Sequence, residues 1–77
     1  MGWQEHIEIR PDVLAGKPLI RGTRLSVEFI LDLLGQGWTE EQILEQYPGV
    51  TAEAIRACLR YASHALSTEK VYPASVG

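Results

Sequence analysis

The residues best suited to do chemistry lie in one short stretch, Gly16 to Arg24, which carries three cations and no acid. The cations are Lys17, Arg21 and Arg24. Glycine and proline alternate with them, so permissive and stiff backbone positions would hold the charges in a fixed arrangement. We predict that these three cations form a partner-binding surface for carboxylates or phosphates. The alternative is that they are solvated or pair with acidic helices of the same chain.

A second candidate set, the two arginines Arg56 and Arg60 with His64, recurs at four-residue spacing near the C-terminus, which places the three on one face of a helix. The predicted helices on either side of Pro48 and Gly49 have the length and turn residues of a helix-turn-helix. The second helix of that motif can enter a DNA major groove. We predict that Arg56, Arg60 and His64 face DNA; the alternative is a three-helix bundle that uses the turn only as a corner.

The rest of the sequence offers no catalytic or metal-binding pattern. His6, His64 and Cys58 do not fall at the spacing of a metal motif. No nucleophile has an evident base and orienting acid, and the segment that begins at Gly16 lacks the spacing of a phosphate-binding P-loop. We therefore predict no enzymatic activity, no cofactor and no metal.

Composition predicts one small folded domain in the cytoplasm. The 77 residues are 45% hydrophobic and 22% charged, with one cysteine, which is typical of a soluble globular protein in a reducing compartment. No apolar run is long enough to span a membrane, and the first residues lack a signal-peptide pattern. The net charge of −3 counts against strong DNA binding by one copy. We expect a homodimer, formed through the exposed strand edge at His6 to Arg10.

A β-arm and three capped helices are predicted to position the cations. Alternation at His6 to Arg10 indicates a strand, and Leu19 to Arg21 is its expected partner. Three hydroxyl caps, each preceded by an apolar residue and followed four residues later by isoleucine, predict the helix starts at Ser26, Thr39 and Thr51. We predict a single helix-turn-helix domain over 1–67, with a β-arm at 6–24, helices near 27–35, 40–47 and 52–67, and a flexible tail at 68–77.

Apolar stripes on the three helices predict the core. The first helix contributes Val27, Ile30, Leu31 and Leu34, the second Ile43, Leu44 and Tyr47, and the third Ile55, Leu59, Ala62 and Leu66.

The stretch from Ile7 to Ala62 resembles the small prokaryotic domain-of-unknown-function family 433. The family has an opening strand and the motif Gly-Lys-Pro-x-Ile-x-Gly-Thr-Arg, followed by a valine and a helix-turn-helix. The motif positions here are Gly16, Lys17, Pro18, Ile20, Gly22, Thr23, Arg24 and Val27. The later family pattern is matched by Gly37, Thr39 to Glu41, Tyr47-Pro48, Thr51 to Glu53 and Tyr61-Ala62.

The resemblance implies a mainly α fold: a homeodomain-like three-helix helix-turn-helix bundle with a short N-terminal β-hairpin or β-arm. It implies the antitoxin role in a type II toxin-antitoxin pair, with a PIN-like ribonuclease as the toxin. Such nucleases hold divalent metal with clustered carboxylates, which Lys17, Arg21 and Arg24 would cap. Operator DNA is the second expected partner. A stand-alone DNA-binding regulator and a homodimeric adaptor that does not bind DNA remain alternatives.

Overall fold

The computed structural model describes residues 2–67, which form a mainly helical protein with a short antiparallel hairpin at its N-terminus. The predicted C-terminal tail, 68–77, lies outside the described residues. None of the helices in the described part is long and apolar enough to cross a membrane. The elements are a 3₁₀ turn at Trp3–Glu5 (the N-terminal turn), β1 at Ile7–Ile9, a 3₁₀ turn at Leu14–Gly16, β2 at Pro18–Ile20, α1 at Val27–Gly35, α2 at Glu40–Gln46 and α3 at Ala52–Ser67.

The hairpin forms one wall of the core and sets the start of α1. Its register pairs Ile7 with Ile20 and places Glu8 opposite Leu19. Ile7 and Ile20 are buried against the helices, which stabilises a two-stranded sheet that would be marginal alone. Leu19 also forms an isolated bridge with Ser26. The chain therefore turns back at once, and α1 begins beside β2.

Local cap chemistry fixes where the helices start, and the three predicted caps are confirmed. The Ser26 hydroxyl accepts from the Phe29 amide at 2.9 Å. Thr39 and Gln42 form the predicted capping box, with the Thr39 hydroxyl accepting at 3.1 Å and the Gln42 side chain accepting at 2.8 Å. The Thr51 hydroxyl accepts from the amide of Ala54, the third residue of α3, at 3.1 Å. Each cap satisfies an amide that has no partner within its helix.

The core lies between the three helices and the hairpin. Its largest fully enclosed side chains come from four elements, which ties them together. These side chains are Leu19, Ile30, Ile43, Ile55 and Cys58.

The predicted core stripe of α3 is wrong at Leu59 and Leu66. Ile55 is 1% exposed, but Leu59 is 49% exposed and Leu66 is 61% exposed. The buried face of α3 carries smaller residues as well, namely Ala54, Ala57 and Cys58. Small side chains allow α3 to approach the rest of the fold closely on that face. The helix also has 16 residues against nine in α1 and seven in α2, and its end projects the leucine at position 66 into solvent.

In α1 the fully buried leucine is Leu33, whereas Leu31 and Leu34 are only partly buried against the core.

Candidate functional site

The uncharged residues of the Gly16 to Arg24 loop fix its backbone. The Thr23 hydroxyl donates to the carbonyl of Ile20 at 2.8 Å and accepts from the amide of Leu25 at 3.0 Å. Gly22 has a φ of +83°, a conformation that only glycine adopts without strain. These positions shape the turn between β2 and α1, so the cations of the loop project from a defined backbone.

Lys17 pairs with an acid of the same chain. Its Nζ donates to Oε1 of Glu28, in the first turn of α1, at 2.8 Å. This hydrogen bond, helped by the lysine charge, lowers the pKa of Glu28. Both side chains are more than half exposed, and ion pairs between exposed groups are weak and screened by salt. Lys17 can therefore exchange Glu28 for another carboxylate.

Arg21 holds the N-terminal turn against the hairpin. Its Nε donates to the carbonyl of Glu5 at 3.0 Å, and its Nη2 donates to the carbonyls of Gln4 at 3.3 Å and Ile7 at 3.2 Å. Its Nη1 contacts Oε1 of Glu8 at 3.3 Å. The planar guanidinium thus uses its donors on four neighbouring residues of one segment. The structure places Arg21 in an architectural position.

Arg24 differs from both. It is exposed, and it makes no hydrogen bond or ion pair with any residue of the described range 2–67. The preceding residue, Thr23, lies beside the α2–α3 turn: its methyl carbon is 3.6 Å from the position that a Cβ at Gly49 would occupy. The loop therefore carries a guanidinium that is unpaired within residues 2–67, one residue after the contact with that turn.

Arg56, Arg60 and His64 share one exposed face of α3 but differ in their surroundings. Nη2 of Arg56 lies 3.9 Å from Oε1 of Glu40, an exposed and long ion pair. The imidazole of His64 lies 5.4 Å from the Trp3 ring. The Arg60 side chain makes no hydrogen bond or ion pair within the described part of the chain. Arg60 is thus the most available cation of this face.

The position of Trp3 was not predicted from the sequence. The Trp3 ring packs edge-on against Tyr61, with centroids 5.2 Å apart and an interplanar angle of 78°. An open cleft of about 350 Å³ next to it is lined by Trp3, Arg60, Ser63, His64 and Ser67. The only indication of this contact in the sequence is the spacing of Tyr61 and His64, whose rings are three residues apart in α3. Because Arg21 holds the N-terminal turn that carries Trp3, the motif loop is connected to the cationic face of α3.

The described residues offer anion-binding groups and no cluster for metal chemistry. Among residues 2–67, no group of three or more His, Cys, Asp or Glu residues could hold a metal ion. Cys58 is buried, and burial raises the pKa of its thiol to about 11. The thiol is therefore protonated at neutral pH and is a poor nucleophile.

The hairpin and the three capped helices define a small, mainly helical protein with a cationic loop between β2 and α1. The chain belongs to the family described as protein of unknown function DUF433, whose model matches residues 7–62. It is 37% identical over 59 residues to the uncharacterized protein y4eO of Sinorhizobium fredii (strain NBRC 101917 / NGR234), a match that covers 77% of this chain and 27% of that protein.

A solved structure shares the fold. The crystal structure of a DUF433 member protein from Anabaena variabilis ATCC 29413 matches with a TM-score of 0.77 and 34% identity. The match covers 84% of this chain and 64% of that one. The chain thus spans just under two thirds of the Anabaena chain and about a quarter of y4eO.

Proposed function

We propose that this protein is the antitoxin half of a type II toxin-antitoxin pair and that it acts by binding and neutralising a PIN-like ribonuclease, without catalysis of its own. The observation that carries the proposal is Arg24, an exposed guanidinium with no intramolecular partner among residues 2–67 on a loop with a fixed backbone. A guanidinium forks onto carboxylates. The carboxylate cluster with which a PIN-like nuclease holds its metal is a matching target.

Lys17 and Arg21 take different parts in this proposal. Lys17 would leave its exposed pair with Glu28 and add a second cation at the nuclease cleft, because little free energy is lost when such a pair opens. Arg21 would remain on the carbonyls of the N-terminal turn. Of the three cations predicted to bind the partner, Arg24 is thus the proposed anchor and Lys17 its support.

A charge reversal at Arg24 tests this proposal. We expect Arg24→Glu to weaken binding to the PIN-like nuclease encoded next to this protein by about 30-fold or more, as for an arginine at the centre of an interface. The measurement is isothermal titration calorimetry with that nuclease at two salt concentrations.

The matched control for this test is Arg10→Glu. Arg10 is also an exposed arginine of the β-arm, but it pairs with Glu8 at 3.5 Å. We expect its reversal to change the affinity by no more than about threefold, as for a charge at an interface rim. Equal affinities of Arg24→Glu and the unaltered protein would refute the proposal, as would a neighbouring gene that encodes no nuclease.

DNA binding is a second proposed function, favoured by the exposure of Arg60 on α3. In this proposal α2, the turn and α3 act as a homeodomain-like helix-turn-helix, and Arg56, Arg60 and His64 contact phosphates or the groove. Trp3 covers one side of the His64 ring, so Arg60 is expected to contribute most. The net charge of −3 requires two copies for measurable affinity.

Fluorescence anisotropy with a duplex of the protein's own promoter tests this second function. We expect Arg60→Ala to weaken binding and to reduce the slope of log affinity against log salt by about one unit, as for the loss of one phosphate contact. Arg10→Ala, the matched control, should leave the slope unchanged. The absence of a complex at both low and moderate salt would exclude DNA binding by the protein alone.

A further inference from the structure

We propose that two copies of this chain pack against each other through an apolar groove between α1 and the end of α3. This groove has a volume of about 430 Å³. Its apolar lining comes from β2, α1 and the last two turns of α3, and includes Pro18, Val27, Leu31, Ala62, Ala65 and Leu66. We call it the α1–α3 groove.

Charge restricts what can occupy the α1–α3 groove. Glu28 is the charged residue on its lining, and Lys17 of the same chain already neutralises it at 2.8 Å. A nucleic acid would find no free cation there, and a basic peptide would have to displace Lys17. A neutral, apolar occupant leaves the pair of Lys17 and Glu28 intact. A second copy is such an occupant, because in its own groove Lys17 also neutralises Glu28.

The shape of the groove favours a second copy as that occupant. Leu66 is 61% exposed and projects from the end of α3. Ala62 and Ala65, beside it on the same helix, leave a depression against Leu31 of α1. The same patch thus carries both a projection and a hollow. A surface with both is complementary to itself, which is the requirement for a two-fold symmetric interface.

The sequence of α3 supports a helix as the neighbour. Leu59, Ala62 and Leu66 follow one another at spacings of three and four residues, which is the pattern of a seam between two packed helices. One copy leaves Leu59 and Leu66 about half or more exposed. If the α3 helix of a second copy packed along this seam, it would bury Leu59 and Leu66, whose spacing is typical of buried residues.

The patch continues onto the hairpin. Ile9 is the register partner of Pro18, so the two side chains lie on the same face of the sheet. Ile9 is 61% exposed. The exposed apolar face thus extends from Ile9 of β1 over Pro18 of β2 and Leu31 of α1 to Leu66 of α3, so four elements contribute to it.

This interface differs from the strand edge at His6 to Arg10 that the sequence suggests. It also leaves the cationic face of α3 free, because Arg60 and His64 line a cleft on the other side of that helix. A dimer of this kind would carry two outward-facing cationic helix faces. The inference itself does not depend on the proposed antitoxin or DNA-binding functions.

Sedimentation velocity of the full chain from micromolar to millimolar concentration tests the interface. We expect a reversible dimer for the unaltered protein and a dissociation constant at least about tenfold higher for Leu66→Glu, which places a charge in the apolar contact. Leu66→Ser, which removes the projection without adding a charge, should shift the constant in the same direction. Circular dichroism at low concentration checks that both variants keep their helices.

Ser63→Glu is the matched control, since it adds the same charge to the same helix end on the side of the Trp3 cleft. We expect it to dimerise as the unaltered protein does. A protein that stays monomeric at every concentration would overturn the proposal. So would a Leu66→Glu variant that dimerises with unchanged affinity, because the dimer would then use another surface.

Discussion

Ile55→Ala is expected to lower the free energy of unfolding by about 2 to 5 kcal/mol, the range for an isoleucine truncated in a closed core. Ile55 is 1% exposed and packs where α3 meets the rest of the core. A domain of this size has a total stability near the lower end of about 5 to 15 kcal/mol. The substitution should therefore remove a large part of it. Urea unfolding followed by far-ultraviolet circular dichroism measures the loss.

Leu59→Ala is the matched control for this prediction, because it truncates a similar side chain one turn further along α3. Leu59 is 49% exposed, so its truncation leaves no closed cavity. We expect a loss of about 1 kcal/mol or less, measured where the protein is monomeric. Equal losses for the two variants would contradict the orientation of α3 described above.

Arg21→Ala is the second substitution with a large expected effect. It removes the donors that hold the carbonyls of Gln4, Glu5 and Ile7. Hydrogen bonds from a charged group contribute more than neutral ones, but this side chain is 55% exposed. We therefore expect a loss of about 1 to 2 kcal/mol of unfolding free energy. Urea unfolding gives the global effect.

Hydrogen exchange resolves the local effect of this substitution. The amides of Glu5 and His6 donate to the carbonyls of Gly2 and Trp3 at 3.2 and 3.0 Å in the N-terminal turn. Both amides should exchange faster in Arg21→Ala, since the turn loses its outer support.

Two further variants separate this role from simple loss of charge. Arg21→Lys keeps the charge but cannot present a planar fork to several carbonyls, so it should restore little of the stability. Arg24→Ala removes a cation that has no partner among residues 2–67 and should leave stability unchanged. Unaltered exchange in Arg21→Ala would show that the N-terminal turn does not depend on this side chain.

Features set by neighbouring residues could be predicted from the sequence. The caps at Ser26, Thr39 and Thr51 each join a hydroxyl to an amide three residues further on, so the signal lies within one short window. The pairing of Ile7–Ile9 with Pro18–Ile20 also followed from alternation and the intervening turn residues. Family membership was predictable as well, because the motif is dense.

Features set by distant parts of the chain could not be predicted in this way. The partners of Arg21 are mostly backbone carbonyls 14 to 17 residues away. Every residue has a backbone carbonyl, so a search of the sequence for acidic partners of Arg21 does not find these contacts. Leu59 is exposed because the buried face of α3 runs through Ala57 and Cys58 instead, and Leu66 is exposed at the end of a helix that is longer than its neighbours. Periodicity predicts which residues share a helix face, but it does not predict whether the fold of the chain buries that face.

The structure thus changes how the Gly16 to Arg24 motif is interpreted. Thr23 and Gly22 shape the backbone, and Arg21 holds the N-terminal turn. Lys17 is held in an exchangeable pair, and Arg24 extends into solvent. Most residues of the motif thus stabilise the fold, and the guanidinium of Arg24 is the one that has no partner among residues 2–67. Our proposal of nuclease neutralisation depends on that guanidinium.

The most direct test is RNA cleavage by the neighbouring PIN-like nuclease, titrated with the unaltered protein and with Arg24→Ala at equal concentrations of folded protein. The account predicts that Arg24→Ala unfolds at the same urea concentration as the unaltered protein. It also predicts that about 30-fold more of the variant is needed for half-inhibition, as for an interface hot spot. Half-inhibition by both proteins at the same concentration would contradict it.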